Sequence, residues 1–181
     1  MAFTAMDVKA LREKTGVGMM ECKKALTEAD GDMDKAIDFL RERGLAAAEK
    51  KSARIAAEGV VYTYYDEAAK KAVTVEVNSE TDFVAKNDKF MDFVKGVART
   101  IIATAPADVE ALCATAYEGT DRTVTETLND LILSIGENMK IRRFEVMDGV
   151  VATYIHAGGS VGVMVGFDVA DESKAATDEF K

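Results

Sequence analysis

Side chains able to do acid–base, nucleophilic or metal chemistry are sparse in this 181-residue chain, apart from its carboxylates. His156 is the single histidine, which excludes a multi-histidine metal site. Cys22 and Cys113 form no metal-type spacing, and a reduced, cytoplasmic setting is the simpler assumption for them. The 32 acidic residues form no constellation that differs from a solvated surface. GxSxG, Walker A and GxGxxG patterns are all absent. Gly158-Gly159-Ser160 resembles a phosphate loop only superficially, because it lies between two strand-like runs where glycines serve a hairpin turn. Hydrolase and transferase chemistry is therefore disfavoured, and neither a metal nor a cofactor is expected.

The most informative stretch is Asn78-Ser79-Glu80-Thr81-Asp82-Phe83-Val84-Ala85-Lys86-Asn87. Upstream, Val73, Val75 and Val77 alternate with Thr74 and Glu76, the period of a half-buried strand. Downstream, Phe90, Phe93, Val94, Val97 and Ile101 recur at helical spacing. Phe83 thus sits at a joint between scaffold elements, where binding residues are often displayed. Two readings follow. The ring stands outward beside a carboxylate as an anchor for a partner's pocket, or Phe83 and Val84 tuck under the helix they introduce, the commoner fate of a phenylalanine.

The positioning elements come next. Hydrophobic residues make up 48% of the chain, net charge is -9, and mean hydropathy is -0.06, values of a soluble globular protein. A phosphate backbone would be repelled on average. The basic clusters, Lys50-Lys51 with Arg54 and Arg142-Arg143, are small and flanked by acids, so direct nucleic-acid binding is not expected. No apolar run approaches a membrane span, and the first residues lack the regions of a secretory signal.

Three short helices are expected in the first fifty residues. Thr4 and Asp7 cap the first, which ends at Gly16. The second covers Met19 to Glu28, and the third carries Met33, Ala36, Ile37 and Leu40 before Gly44. Leu45 to Ala57 reads as a helical connector. Val60–Tyr65 and Ala72–Val77 form a hairpin, and a long helix from about Lys86 stops by Pro106. Helices at Asp108–Tyr117 and after Thr123 follow, the latter with a capping box to Glu126 and interrupted by Gly136. Glu58-Gly-Val-Val-Tyr-Thr-Tyr-Tyr65 is then echoed 90 positions later by Asp148-Gly-Val-Val-Ala-Thr-Tyr-Ile155, and the echo extends to Val73/Val163, Val75/Val165 and Val77/Phe167. An internal duplication explains it. The second copy would only open a helix at Asp171–Lys181, so it is expected to be incomplete, with less helical cover on its sheet.

Three segments, Thr15-Gly-Val-Gly-Met-Met-Glu-Cys-Lys-Lys-Ala-Leu26, Asn78-Ser-Glu-Thr-Asp-Phe-Val-Ala85 and Ile135-Gly-Glu-Asn-Met-Lys-Ile-Arg-Arg-Phe144, occur in this order. Together they closely resemble the bacterial elongation factor Ts family, the guanine-nucleotide exchange factors of elongation factor Tu. The resemblance implies an α+β fold: a ubiquitin-associated-like three-helix module at 1–46, a helical linker at 47–57, a first dimerisation-type core subdomain at 58–143, and an incomplete second at 144–181. It also implies that the chain promotes GDP release from elongation factor Tu without covalent chemistry. Thr81, Asp82, Phe83 and Val84 would displace magnesium, with Phe83 as the wedge, which favours the outward reading of that ring. Met19, Met20, Lys23, Ile135 and Gly136 would touch the partner's nucleotide-binding domain, and His156 its third domain. For each of these six the plain alternative is a core or solvated residue. A homo-oligomer through the core is left open, and a non-catalytic binding module is the alternative function.

Overall fold

Several helices begin where the sequence offers a side-chain acceptor for their orphan amides. In the computed structural model, which describes residues 3–171 and 177, α1 (Ala5–Thr15) opens on the expected capping box. The Thr4 hydroxyl accepts from the Asp7 amide at 3.4 Å, the Asp7 carboxylate accepts from the Thr4 amide at 2.7 Å, and Gly16 closes the helix at φ +67. α2 spans Met19–Glu28 as predicted and buries Cys22, Ala25 and Leu26. α3 (Met33–Lys51) is capped by the Asp32 carboxylate, which accepts from the amides of Asp34 and Lys35 at 3.0 Å.

The predicted stop before Gly44 does not occur. α3 runs through Gly44 to Lys51, so the expected helical connector is helical over its first part, as a continuation of α3, and gives way to a turn and irregular chain over 52–57. Gly44 is there for close approach. A Cβ on it would lie 3.3 Å from the Asp130 carboxylate and 3.4 Å from the Asn129 backbone of α7 (Val124–Ile135).

The chain folds as two compact units, and the grouping is not sequential. One unit joins the N-terminal helices, through Ile55, to Thr125–Met139; the other holds Ala56–Val124 and the described residues from Lys140 on. In the first, Val8, Leu11, Val17, Cys22, Ala25, Leu26, Ala36 and Leu40 form a buried cluster, and Leu133 of α7 packs against it. A three-helix module too small to bury much surface alone thereby gains a fourth wall.

In the second unit, β1 (Glu58–Asp66), β2 (Lys71–Ser79) and β3 (Met139–Asp148) form a sheet in the order β1-β2-β3. β1 and β2 are antiparallel with Val60 opposite Val77. Sequence periodicity did not single out β3, because Arg142-Arg143 breaks its alternation after the buried Met139 and Ile141. Those two arginines, one of the candidate basic clusters, both pair with Glu76 of β2, at 3.5 and 2.8 Å.

α5 (Asp88–Thr104) lies on this sheet and buries Phe90, Phe93, Val94, Val97 and Ile101, each worth roughly 1.5–3 kcal/mol of transfer free energy. It starts two residues later than predicted, capped by the Asn87 side chain, and ends at Ala105 in the left-handed region before Pro106. α6 (Val109–Ala114) is shorter than predicted, since Tyr117 leaves the helix to stack on Phe93 with ring centroids 5.8 Å apart.

The second hairpin, β4 (Val150–His156) with β5 (Val161–Phe167), pairs Val150 with Phe167. Each of these partners is 90 positions after Val60 and Val77, so the duplicated sequence folds in the same register twice. Gly162 seats this hairpin against the first: a Cβ there would stand 2.5 Å from Cγ1 of Val61. The helix expected at Asp171–Lys181 lies outside the described residues, apart from the isolated positions 171 and 177. The architecture is α+β, with helices followed by antiparallel sheets and further helices.

Candidate functional site

The corner after β2 is built from the backbone outward. Ser79 is fully buried and its hydroxyl donates to the Thr81 carbonyl at 2.9 Å, while the Asn78 side-chain Nδ2 donates to the Glu58 carbonyl at 3.2 Å and to the Glu76 carboxylate at 3.3 Å. These bonds fix where the strand ends. Thr81, in extended conformation, caps the single turn α4 (Asp82–Ala85) by accepting from the Val84 amide at 3.5 Å. The Asn87 amide donates to the Val84 carbonyl at 2.9 Å and passes the chain to α5.

Phe83 and Val84 are adjacent on a helical turn, so their side chains diverge by about 100° and cannot share one face. Val84 is buried at 6% exposure and anchors the turn, which packs on β1 and β2. Phe83 is 81% exposed, the larger apolar group left in solvent. Of the two readings of this stretch, tucking under the helix holds for Val84 and the outward position for Phe83. One residue earlier, Asp82 accepts a hydrogen bond from Lys86 at 2.8 Å. That bond and the ammonium charge hold the Asp82 carboxyl below the usual aspartate range and push Lys86 up. The pair spans i and i+4 along the chain, a spacing legible in the sequence that the motif reading passed over, as were the supports from Asn78 and Ser79.

The remaining candidates divide between the units. In the first, Met19 and Met20 open α2 at 44% and 68% exposure, with Lys23 also exposed, opposite the buried face of Cys22, Ala25 and Leu26. Ile135, half-buried, is the last residue of α7, and Gly136 ends that helix at φ +92 with its amide on the Ile132 carbonyl at 2.9 Å. In the second unit, His156 ends β4, exposed, with Nδ1 3.1 Å from the Tyr154 hydroxyl. The structure therefore gathers Thr81–Val84 on one turn and Met19, Met20 and Lys23 on one helix end. Among the described residues no three His, Cys, Asp or Glu side chains converge as a metal site, and no helix is long and apolar enough to cross a membrane. The corner leaves one aromatic ring in solvent on a turn whose backbone is capped by Thr81 and anchored by Val84.

Comparison with known proteins matches residues 80–178 to the family model described as elongation factor TS. Elongation factor Ts of Clostridium perfringens strain SM101 is 56% identical over 164 residues, covering 89% of this chain and 54% of that protein. The namesake from Trichlorobacter lovleyi is 53% identical over 169 residues, covering 91% and 54%. That from Syntrophotalea carbinolica is 50% identical over 182 residues, covering 97% and 59%. The chain thus spans a little over half the length of these relatives. With more than half of its residues matched by the family model, the chain belongs to the elongation factor Ts family.

Proposed function

We propose that this chain is a cytoplasmic translation elongation factor that binds GDP-loaded elongation factor Tu and speeds GDP release. In this reading Phe83 is the wedge. It enters the partner beside the nucleotide site, displaces the magnesium ion and disturbs the phosphate loop, with Thr81, Asp82 and Val84 holding it in place. Met19, Met20, Lys23, Ile135 and Gly136 contact the nucleotide-binding domain, and His156 the third domain.

The observation that carries the reading is the 81% exposure of Phe83 on a turn capped by Thr81 and pinned by Val84. A ring held this way loses little entropy when it enters a pocket, and such anchors supply 2 kcal/mol or more in protein interfaces, as an order of magnitude. Exchange needs no proton transfer or bond cleavage. It is a linkage: if the factor weakens GDP binding tenfold, about 1.4 kcal/mol, GDP weakens factor binding by the same amount. The nucleotide leaves faster while the balance between free GDP and GTP is unchanged.

The test is stopped-flow release of fluorescent GDP from elongation factor Tu. The wild-type chain is expected to accelerate release, and Phe83→Ala to lose at least tenfold of that acceleration with its unfolding midpoint unchanged. An unaltered rate for the variant removes the wedge. Stable binding to elongation factor Tu with no acceleration by the wild-type chain would favour a non-catalytic binding module instead.

A further inference from the structure

The chain that leaves α7 has to be held by something other than helical hydrogen bonds. Gly136 ends the helix at φ +92, and a Cβ built on it would meet nothing within 4 Å, so the outer side of this turn is open. Ile135 and Gly136 are thus displayed at a chain end whose direction depends on what grips it from either side. Three tethers hold it to the N-terminal helices, all within one compact unit. The first is the close approach of Gly44 in α3 to the Asn129 backbone and the Asp130 carboxylate. The second is Leu133, packed on the buried cluster of α1, α2 and α3. The third lies beyond the displayed pair. Asn138 is buried and donates from Nδ2 to the Arg54 carbonyl at 2.8 Å, across 84 positions of sequence. That carbonyl is itself fixed, because the Arg54 amide donates to the Lys51 carbonyl at 2.8 Å in the turn that closes α3.

We propose that Asn138 is a positioning residue for partner binding: its bond to Arg54 sets the direction in which Ile135 and Gly136 are presented. The role rests on the reading of those two residues as contacts to the partner's nucleotide-binding domain. Packing at Gly44 and Leu133 fixes α7 up to its last turn, but packing is non-directional and ends before Gly136. A hydrogen bond needs its donor aligned with its acceptor, so the Asn138 bond fixes the far end of the turn in angle as well as distance. Held at both ends, the turn keeps one spacing from Met19, Met20 and Lys23 of α2, which belong to the same unit. A partner surface can then meet both strips without ordering either, which lowers the cost of binding. Asn138 itself is buried and leaves the partner untouched. It therefore governs affinity, while the release step stays with the turn that carries Phe83 in the other unit.

The test uses the whole chain in stopped-flow exchange, with GDP-loaded elongation factor Tu as the varied substrate. Asn138→Ala is expected to raise KM about fivefold and to leave kcat within about twofold. The deciding readout is a double-mutant cycle. Ile135→Ala should raise KM severalfold in the wild-type chain, yet change it by less than about twofold once Asn138 is replaced, because the contact is already lost. Met20→Ala should cost the same in both backgrounds. A merely structural role for Asn138 would leave both effects intact. Where Asn138→Ala lowers the folded fraction in circular dichroism, the same cycle is run with Asn138→Ser, whose shorter hydroxyl stops short of Arg54. An unchanged KM, a fall in kcat at constant KM, or a full Ile135→Ala effect in both backgrounds overturns the proposal and leaves the exchange reading standing. So does Ile135→Ala without effect in the wild-type chain. No acceleration by the wild-type chain removes the exchange reading first, and the positioning role with it.

Discussion

The two hairpins carry nearly the same alternating pattern, fold in the same register and reverse direction over connections of equal length, yet they end in opposite environments. Val73, Val75 and Val77 lose all their exposure beneath α5, while Val163, Val165 and Phe167 keep close to half of theirs. Period-2 alternation states that one face is apolar and says nothing about which object will cover it. The turns differ as well. Asp66 caps the first by accepting from the amides of Ala68 and Ala69 at 2.9 Å and has positive φ at Lys70 alone, whereas the second has positive φ at Ala157, Gly158 and Gly159. Equal register has thus been reached through two turn chemistries, so pairing of the strands, more than the turn, is what the duplication retains.

The sharpest way to break the comparison is to place the same charge at matched positions. Val75→Asp should cost about 4 kcal/mol or more in urea unfolding, because a carboxylate would be buried without a partner. Val165→Asp, 90 positions later, should stay within about 0.5 kcal/mol. Equal losses would mean that the second face is covered in solution. A smaller effect probes how the hairpins meet. Gly162→Ala puts a methyl 2.5 Å from Val61 Cγ1 and should cost about 1–3 kcal/mol. Gly166→Ala has only the Met147 sulfur at 3.9 Å to meet and should be near neutral in the same measurement.

The smallest effect concerns the corner that follows the first hairpin, which the duplication does not repeat: Ser173 stands where Phe83 would fall. Asp82 titrates below the ordinary aspartate range because Lys86 donates to it. Its folded pKa is depressed, so the pairing contributes above the unfolded pKa and is lost as pH falls through the folded value. Carbon-detected NMR should place the Asp82 midpoint under that of the exposed aspartates, and Lys86→Ala should return it to the ordinary range. Global stability should barely move, since both groups are exposed.

Much of this was legible beforehand for identifiable reasons. α2 was bounded correctly at both ends, and the Thr4–Asp7 box, the Asp66–Lys71 reversal and the matched hairpins were read from local chemistry that acts within a few residues. Gly44 was misread as a helix stop because its role is to admit α7, some eighty residues away in sequence. β3 was passed over because its arginines look like a solvated or basic segment until Glu76 of a neighbouring strand is placed against them. At the candidate site, the strand-to-helix corner was visible, but which of Phe83 and Val84 faced inward was not, since alternation and helical period meet there and neither governs.

The sequence by itself determined most of the elements, the duplication and the family, because caps, turns and periodicity act over short spans. Only the tertiary structure decided that Val84 anchors while Phe83 stands in solvent, that Thr125–Met139 joins the N-terminal helices, and that one copy of an apolar face is sealed while the other is open. Burial depends on which distant segment arrives at a surface, and no local pattern encodes that arrival.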